Sequence, residues 1–231
     1  MLRPFFKGLL RHLPSQCAVC HTWPAQPVCQ HCVEAFAQPK TRCKTCALPI
    51  IEGAVQCTGC QRSPPLFDAA LAAVDYAYPW SQLVQEFKFQ EHTGWAASMA
   101  TLMRSTPWVE PALDDADVVI PLPLSRERLQ ERGFDQVLLL ANALYPGKIH
   151  NKLLLRVQNS APLSSMDRKQ RLQSIQHAYA VNPEHASVLR GKKTILLDDV
   201  MTTGASLQSA AKVLRDAGAA HITALVFART P

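Results

Sequence analysis

The chain has 231 residues, of which 48% are hydrophobic and 18% charged, a composition that excludes a disordered protein and indicates a globular one with one or two domains. The formal net charge of +6 is unevenly placed, because residues 1–65 hold 7 Lys/Arg and 2 Asp/Glu whereas the rest of the chain is nearly balanced. All eight cysteines fall in the same basic segment, and cysteines that bind metal as thiolates would offset its positive charge. Net charge alone therefore does not indicate a nucleic-acid partner.

The first segment, residues 1–16, is a lead-in with Arg3, Lys7 and Arg11 scattered among apolar residues. It lacks the unbroken apolar core of a signal peptide, and no other run has the length of a transmembrane helix. We therefore expect a soluble, cytoplasmic protein that does not insert into a membrane.

Four Cys-x2-Cys pairs lie between residues 17 and 60. Each pair can sit on a tight turn that aims both sulfurs at one metal ion, and two pairs complete a tetrahedral site. Because four sulfurs leave no open coordination position, we predict two structural zinc ions in a double zinc ribbon over residues 17–65. The simplest pairing is sequential, although a crossed pairing stays open. It gives the ligand sets Cys17, Cys20, Cys29, Cys32 and Cys43, Cys46, Cys57, Cys60.

Other uses of the cysteines are weaker. Disulfides are rare in cytoplasmic proteins, and a thioredoxin-like redox motif would lie near a β–α–β pattern that this segment lacks. Iron–sulfur ligation stays open as a minor alternative. Two zinc ions bound by thiolates would also remove most of the positive excess of the segment, and they would supply stability that its few large apolar residues cannot.

Alternating apolar strands and helices fill residues 66–231 after a short proline-containing linker, and this alternation predicts one parallel α/β domain. The spacing of apolar residues predicts strands over 69–76, 117–120, 152–156, 194–197 and 222–228. It also predicts helices over 80–89, from Gly94 through 104, over 125–145 with an interruption at Gly133, and over 207–215. Residues 106–115 are expected to be a proline- and acid-rich connection.

Two stretches of this domain carry candidate binding residues. In the first, the apolar strand 194–197 runs into Asp198 and Asp199 and then into a turn of hydroxyl residues before a helix. A strand that feeds a helix N-terminus is the usual anion site of open α/β folds, although an ordinary connection with an acidic cap is the alternative. In the second, Arg128 and Arg132 lie four residues apart and can offer two cations from one helix face, or else form a solvated surface with Glu127 and Glu131.

The acidic pair and the turn resemble the phosphoribosyl-pyrophosphate (PRPP) loop of type I phosphoribosyltransferases. The resemblance implies a type I phosphoribosyltransferase-like parallel sheet with flanking helices, preceded by the small cysteine-rich module. It further implies that Asp198 and Asp199 bind the ribose hydroxyls and that Mg²⁺ accompanies PRPP. The 5′-phosphate would then be bound by Thr202, Thr203, Gly204, Ala205 and Ser206.

The cysteine pairs, the Pro-Leu-Pro strand end, the Arg-x3-Arg-Gly-Phe segment and the PRPP loop together resemble the ComF/GntX family, which is linked to natural competence and use of external DNA. The resemblance covers most of the chain, but Asp135 stands where the family usually has Asn. The family's mobile loop corresponds to Arg156, Ser160 and Arg171, with Leu163 and Ser174 departing from its usual Gln and Asn. Candidates for contacting pyrophosphate are Arg128, Arg132, Arg168, Lys169 and Arg171.

By this resemblance we expect a competence-linked protein of DNA uptake and utilisation that binds PRPP with Mg²⁺, and whether it transfers the phosphoribosyl group stays open. One alternative is a non-catalytic adaptor for single-stranded DNA or a competence helicase; another is a PRPP-responsive regulator. No ATPase activity is expected, because Gly191-Lys192-Lys193-Thr194 precedes a strand instead of opening a helix.

Overall fold

The computed structural model describes residues 16–23, 25–89, 92–157 and 178–231. It falls into two compact units, Met1–Gln38 and Pro39–Pro231. The first unit contains the first four cysteines, and the second contains the other four together with the α/β fold. The proposed boundary between a module over 17–65 and a domain over 66–231 stays a prediction, while the compact units divide 27 residues earlier, at Gln38/Pro39.

Helices and strands alternate along most of the second unit, as the apolar spacing predicts. The elements in chain order are α1 (Gln30–Phe36), α2 (Thr58–Arg62), β1 (Ala69–Asp75), α3 (Trp80–Phe89), α4 (Trp95–Ser105), α5 (Val109–Asp115), β2 (Val118–Pro121), α6 (Arg126–Arg132), α7 (Gln136–Leu144), β3 (Leu154–Arg156), β4 (Tyr179–Val181), β5 (Lys193–Met201), α8 (Ala205–Asp216) and β6 (His221–Arg229).

Four of the strands form one parallel sheet in the order β1-β6-β5-β2, and β3 and β4 form a separate antiparallel pair. The two inner strands β5 and β6 are almost wholly buried, as expected for strands covered by helices on both faces. Parallel strands place all their carboxyl ends at one edge, and ligands of open α/β sheets bind at that edge.

The two faces of the sheet carry different layers. Even-numbered residues of β5 and β6, such as Leu196 and Ala224, share a buried cluster with Leu207 and Leu214 of α8. The opposite face packs against α3, α4 and α7; the Trp80 ring meets Phe227 edge-on, with ring centroids 6.1 Å apart. Since side chains of a strand alternate, neighbouring residues of β5 point into different layers.

Two expectations about local structure need correction, and a third is confirmed. Residues 109–115 form α5, because Pro111 lies in the first helical turn, where its missing N–H costs no hydrogen bond, and because Val109 and Leu113 bury one face. The predicted interruption of the stretch 125–145 at Gly133 is confirmed, since Gly133 adopts a left-handed conformation (φ 72°) that ends α6. The strand predicted over 194–197 continues to Met201, so both aspartates belong to β5.

Among the described residues, no helix combines the length and the apolar character that a bilayer-spanning segment requires.

Candidate phosphate-binding site and cysteine centres

A cavity of about 400 Å³ opens at the carboxyl ends of β2 and β5. It gathers residues from α3, α6, α7, the β3–β4 pair and the connection between β5 and α8. The residues predicted from the sequence that line it are Asp198, Asp199, Thr202, Thr203, Gly204, Ala205, Ser206, Arg128 and Arg132. The other three candidates, Arg168, Lys169 and Arg171, lie outside the described residues.

The two aspartates occupy different surroundings because they are adjacent on a strand. Asp199 is 3% exposed, and both its oxygens are paired: Lys88 Nζ lies 3.0 Å from Oδ1, and Gln136 Nε2 donates to Oδ2 at 3.2 Å. Asp198 is half-buried on the α8 side and accepts only the Asp199 backbone N–H, at 2.8 Å, among the hydrogen bonds of the described residues. Asp198 is therefore the carboxylate with more capacity left for a ligand.

The Asp198 carboxyl is easily protonated. Burial and the neighbouring Asp199 carboxylate raise the pKa of Asp198 to about 7, while the positive charge of Lys88 acts in the opposite direction. A raised pKa means that the charged form of the Asp198 carboxyl is less stable in the folded protein than in the unfolded chain. The free energy of unfolding is therefore highest below the pKa that this carboxyl has in the unfolded chain, and it falls as the pH rises from about 4 through 7.

We expect Asp198→Asn to stabilise the protein at pH 8 by about 1–3 kcal/mol, because the variant has no charge to bury. At pH 4 the carboxyl of the wild type is neutral, so the two proteins should unfold at nearly the same urea concentration. The control is Asp114→Asn on the exposed surface of α5, which should change little at either pH. A wild type that is more stable than the variant at pH 8 would contradict this account.

The connection from β5 to α8 has the form of an anion-binding loop. Gly204 adopts a left-handed conformation with φ 77° and precedes the first residue of α8. A Cβ atom at this position would lie 3.7 Å from Met201 Sδ, an ordinary van der Waals contact. Glycine is therefore required by the backbone conformation and not by lack of space. Helix geometry leaves the first N–H groups of this 12-residue helix without partners inside the helix. These N–H groups, the hydroxyls of Thr202, Thr203 and Ser206, and the helix dipole favour a phosphate.

The opposite wall of the cavity supplies positive charge. Arg132 has two buried nitrogens, Nε and Nη1, with no hydrogen-bond partner among the described residues, and its guanidinium lies 5.0 Å from the centre of the Phe89 ring. Burial lowers the pKa of Arg132 from its ordinary value, although the group stays charged at neutral pH. A buried donor without a partner costs about 1–3 kcal/mol, so an anion bound here would relieve an existing cost.

Asp135, the departure from the family's usual Asn, acts as a helix cap. Its Oδ1 accepts the Leu138 N–H at 2.9 Å at the start of α7, and burial raises the pKa of its carboxyl. Its side chain does not line the cavity. The cap starts α7 so that Gln136, the first helical residue, reaches Asp199.

Five further residues in or beside the cavity were not among the binding residues predicted from the sequence. Lys88 and Gln136 fix Asp199, while Arg156 and Tyr179 join across the β3–β4 pair, where Arg156 Nη1 donates to the Tyr179 hydroxyl at 3.2 Å. Arg229 lies beneath the loop, and its signal is a lone charged residue that ends an otherwise apolar buried strand. The spacing of residues in the sequence gives no sign that Lys88 meets Asp199.

The eight cysteines form two groups, and the pairing is sequential as predicted. All are free thiols, and within each group the sulfurs lie within 4.8 Å of one another. Tetrahedral zinc with bonds of about 2.3 Å requires neighbouring sulfurs about 3.8 Å apart. The distances fit: Cys17 Sγ–Cys32 Sγ is 3.8 Å, Cys20 Sγ–Cys29 Sγ 3.5 Å and Cys46 Sγ–Cys57 Sγ 3.7 Å.

The two groups also repeat one supporting contact. The Cys29 N–H points to Cys17 Sγ at 3.4 Å, and the Cys57 N–H points to Cys43 Sγ at 3.3 Å. An N–H directed at a sulfur stabilises the thiolate form that binds metal. Both groups can therefore hold a zinc ion, and neither has an open position for a substrate.

Comparison with known proteins agrees with this architecture. The phosphoribosyl transferase domain family matches residues 148–231, which contain β3 to β6 and the loop after β5. The fold is thus of the type I phosphoribosyltransferase-like class and follows a cysteine-rich N-terminal part, as predicted.

Three relatives cover different shares of the chain. The DNA utilization protein YhgH of Escherichia coli O6:H1 is 26% identical over 214 residues, which are 88% of this chain and 90% of that protein. Competence protein F of Haemophilus influenzae is 27% identical over 87% of this chain and 88% of its own length. Competence protein ComFC of Bacillus subtilis is 34% identical over 49% of this chain and 45% of its own. The names of these relatives and the matched domain confirm the predicted resemblance to the ComF family.

Proposed function

We propose that the protein binds PRPP with Mg²⁺ at the carboxyl edge of its sheet and serves DNA utilisation in competence. The names of its relatives support the second part, and the matched phosphoribosyl transferase domain supports the first. The observation that carries the proposal is the single cavity of about 400 Å³ that joins an acidic pair, a phosphate-type loop and two arginines from three separate stretches of sequence.

The parts of the cavity match the parts of PRPP. Asp198, with its spare lone pairs, and the more enclosed Asp199 would accept hydrogen bonds from the ribose hydroxyls. The loop residues 202–206 would bind the 5′-phosphate, and Arg128 and Arg132 would bind the pyrophosphate. Magnesium would be held mostly by oxygens of the ligand, so the site needs no dedicated cage of carboxylates.

Group transfer from PRPP would need no nucleophile from the protein. An acceptor would attack C1′ of the ribose and pyrophosphate would leave, so the protein would contribute position, charge stabilisation and exclusion of water. Arg132 would stabilise the charge that develops on the departing pyrophosphate, and its buried donors without a partner among the described residues support this role. Release of pyrophosphate on adding candidate bases would separate a transferase from a PRPP-binding adaptor or regulator.

The first test is calorimetric titration of the zinc-loaded protein with PRPP and Mg²⁺. Replacing both Asp198 and Asp199 by Asn should weaken binding by about a hundredfold, because hydrogen bonds to charged groups contribute about 1.5–3 kcal/mol each. The matched control is the adjacent acidic pair at the end of α5, Asp114→Asn with Asp115→Asn, whose exposed side chains lie outside the cavity. The control should bind as the wild type does.

Two results would count against the proposal. Equal affinity of the wild type and the Asp198/Asp199 variant would remove the ribose-hydroxyl assignment. A folded, zinc-loaded wild type that shows no binding would refute PRPP as the ligand.

A further inference from the structure

Arg229 lies between the second cysteine group and the phosphate-type loop. It is the last residue of β6 and is 8% exposed. Its Nε donates to the carbonyl of Cys46 at 3.0 Å, and its Nη1 donates to the carbonyls of Thr202 at 2.6 Å and Met201 at 3.2 Å. One buried guanidinium therefore joins the backbone of a predicted metal ligand to the backbone that begins the loop.

The carbonyl of Cys46 is held in place by the turn that aims two sulfurs at one ion. In this turn the Ala47 N–H donates to Cys43 O at 2.8 Å, and Ala47 takes a left-handed conformation with φ 56°. Arg42 holds the next carbonyl, since its Nη1 donates to Ala47 O at 3.2 Å. A non-glycine residue in this conformation is costly, so the turn depends on what surrounds it, including a metal bound by its sulfurs.

Hydrogen bonds also fix the backbone that Arg229 contacts at the start of the loop. Met201 and Thr202 lie where β5 ends, and the Thr230 N–H also donates to Met201 O at 3.0 Å. Among the hydrogen bonds of the described residues, the Thr202 carbonyl accepts only from Arg229, and the N–H groups and hydroxyls of 202–206 follow directly. The direction of these carbonyls therefore sets the path of the loop.

We propose that Arg229 is a positioning residue that couples the second cysteine group to the phosphate-binding loop, so that metal held by Cys43, Cys46, Cys57 and Cys60 keeps residues 202–206 in their anion-binding form. The part that concerns PRPP rests on the function proposed above. Coupling between two sites is reciprocal, so an anion on the loop should also strengthen the hold on the metal.

The experiment compares Arg229→Met, which keeps a long side chain but removes the donors, with Arg215→Met, which removes an arginine at the opposite end of the sheet. Both are made in a Cys17→Ser chain, so that a coloured chelator reports zinc release from the second site alone. With PRPP and Mg²⁺ present, zinc release should slow about tenfold in the Arg215→Met chain and should not slow in the Arg229→Met chain. Arg229→Lys keeps the charge and provides a milder variant if the methionine variant folds poorly.

A second measurement does not depend on PRPP. In the free protein, Arg229→Met should accelerate amide hydrogen exchange at residues 202–206 and zinc release from the second site, each about tenfold, whereas Arg215→Met should affect neither. If wild-type protein fails to bind PRPP but these two rates change together, the proposed ligand is wrong and the coupling stands. If exchange and zinc release stay at wild-type rates in Arg229→Met, the coupling is refuted.

Discussion

Replacing Cys43 by serine should lower the midpoint of thermal unfolding of the α/β unit by about 10 °C, whereas Cys17→Ser should leave that midpoint unchanged. Both replacements remove one zinc ligand and, by our prediction, one zinc ion. They differ because Cys43 belongs to the compact unit that contains the sheet, and Cys17 does not.

The reason lies in how the second cysteine group joins the sheet. The Ala70 N–H donates to Lys44 O at 3.0 Å, next to the first ligand, and Ala47 is fully buried in the cluster that includes Phe67 and Ala70. Loss of the metal would release this turn and expose part of that cluster. A cost of about 3–5 kcal/mol corresponds to roughly 10 °C for a protein of this size.

Differential scanning calorimetry with zinc analysis tests the expectation, since each variant should retain one zinc ion per chain. An equal fall of the midpoint in both variants would contradict the assignment of the second group to the α/β unit. An unchanged midpoint in Cys43→Ser would support the boundary predicted at residues 65/66 instead.

Lys88→Met should destabilise the protein by about 3 kcal/mol, because it leaves the carboxylate of Asp199 buried with a single neutral partner, Gln136. The side chain of Asp199 is 4% exposed and that of Lys88 is 20% exposed, so water would replace the lost ammonium group only in part. Adding Asp199→Asn to Lys88→Met should restore most of the loss, since the pair then carries no unbalanced charge.

Urea unfolding of the two single variants and the double variant measures the coupling. The matched control is Lys212→Met, which breaks an exposed pair with Asp216 at 2.8 Å and should cost less than about 1 kcal/mol. Equal losses in Lys88→Met and Lys212→Met would show that the Lys88–Asp199 pair is effectively solvated. A double variant as unstable as Lys88→Met would show that its cost comes from packing and not from charge.

The sequence predicts most of the fold because its strands are short, apolar and separated by clear breaks. It also predicts the phosphate-type loop and the cysteine pairing, since both depend on residues that are close along the chain. It fails for α5, where the local signal of Pro111 suggested a connection although the burial of Val109 and Leu113 favours a helix.

The spacing of residues along the chain does not predict contacts between residues that are far apart in the sequence. Lys88 and Asp199 are more than a hundred residues apart, as are Cys46 and Arg229, and each pair meets only because the sheet places their elements side by side. The sequence also does not predict the unequal roles of Asp198 and Asp199, which are adjacent and chemically identical. Their difference comes from the layers on the two faces of β5.

The alternation of β5 makes the pairing register of the sheet a condition for chemistry as well as for packing. A slip of β5 by one residue against β6 would exchange the faces of the sheet to which Asp198 and Asp199 point. It would also move the side chains of Leu196 and Leu197 to the opposite faces. A chain with this misalignment could keep a compact core, yet Asp199 would leave Lys88 and face α8, and Asp198 would face the lysine side instead. Correct strand alignment during folding therefore determines which of two identical side chains is left available for a ligand.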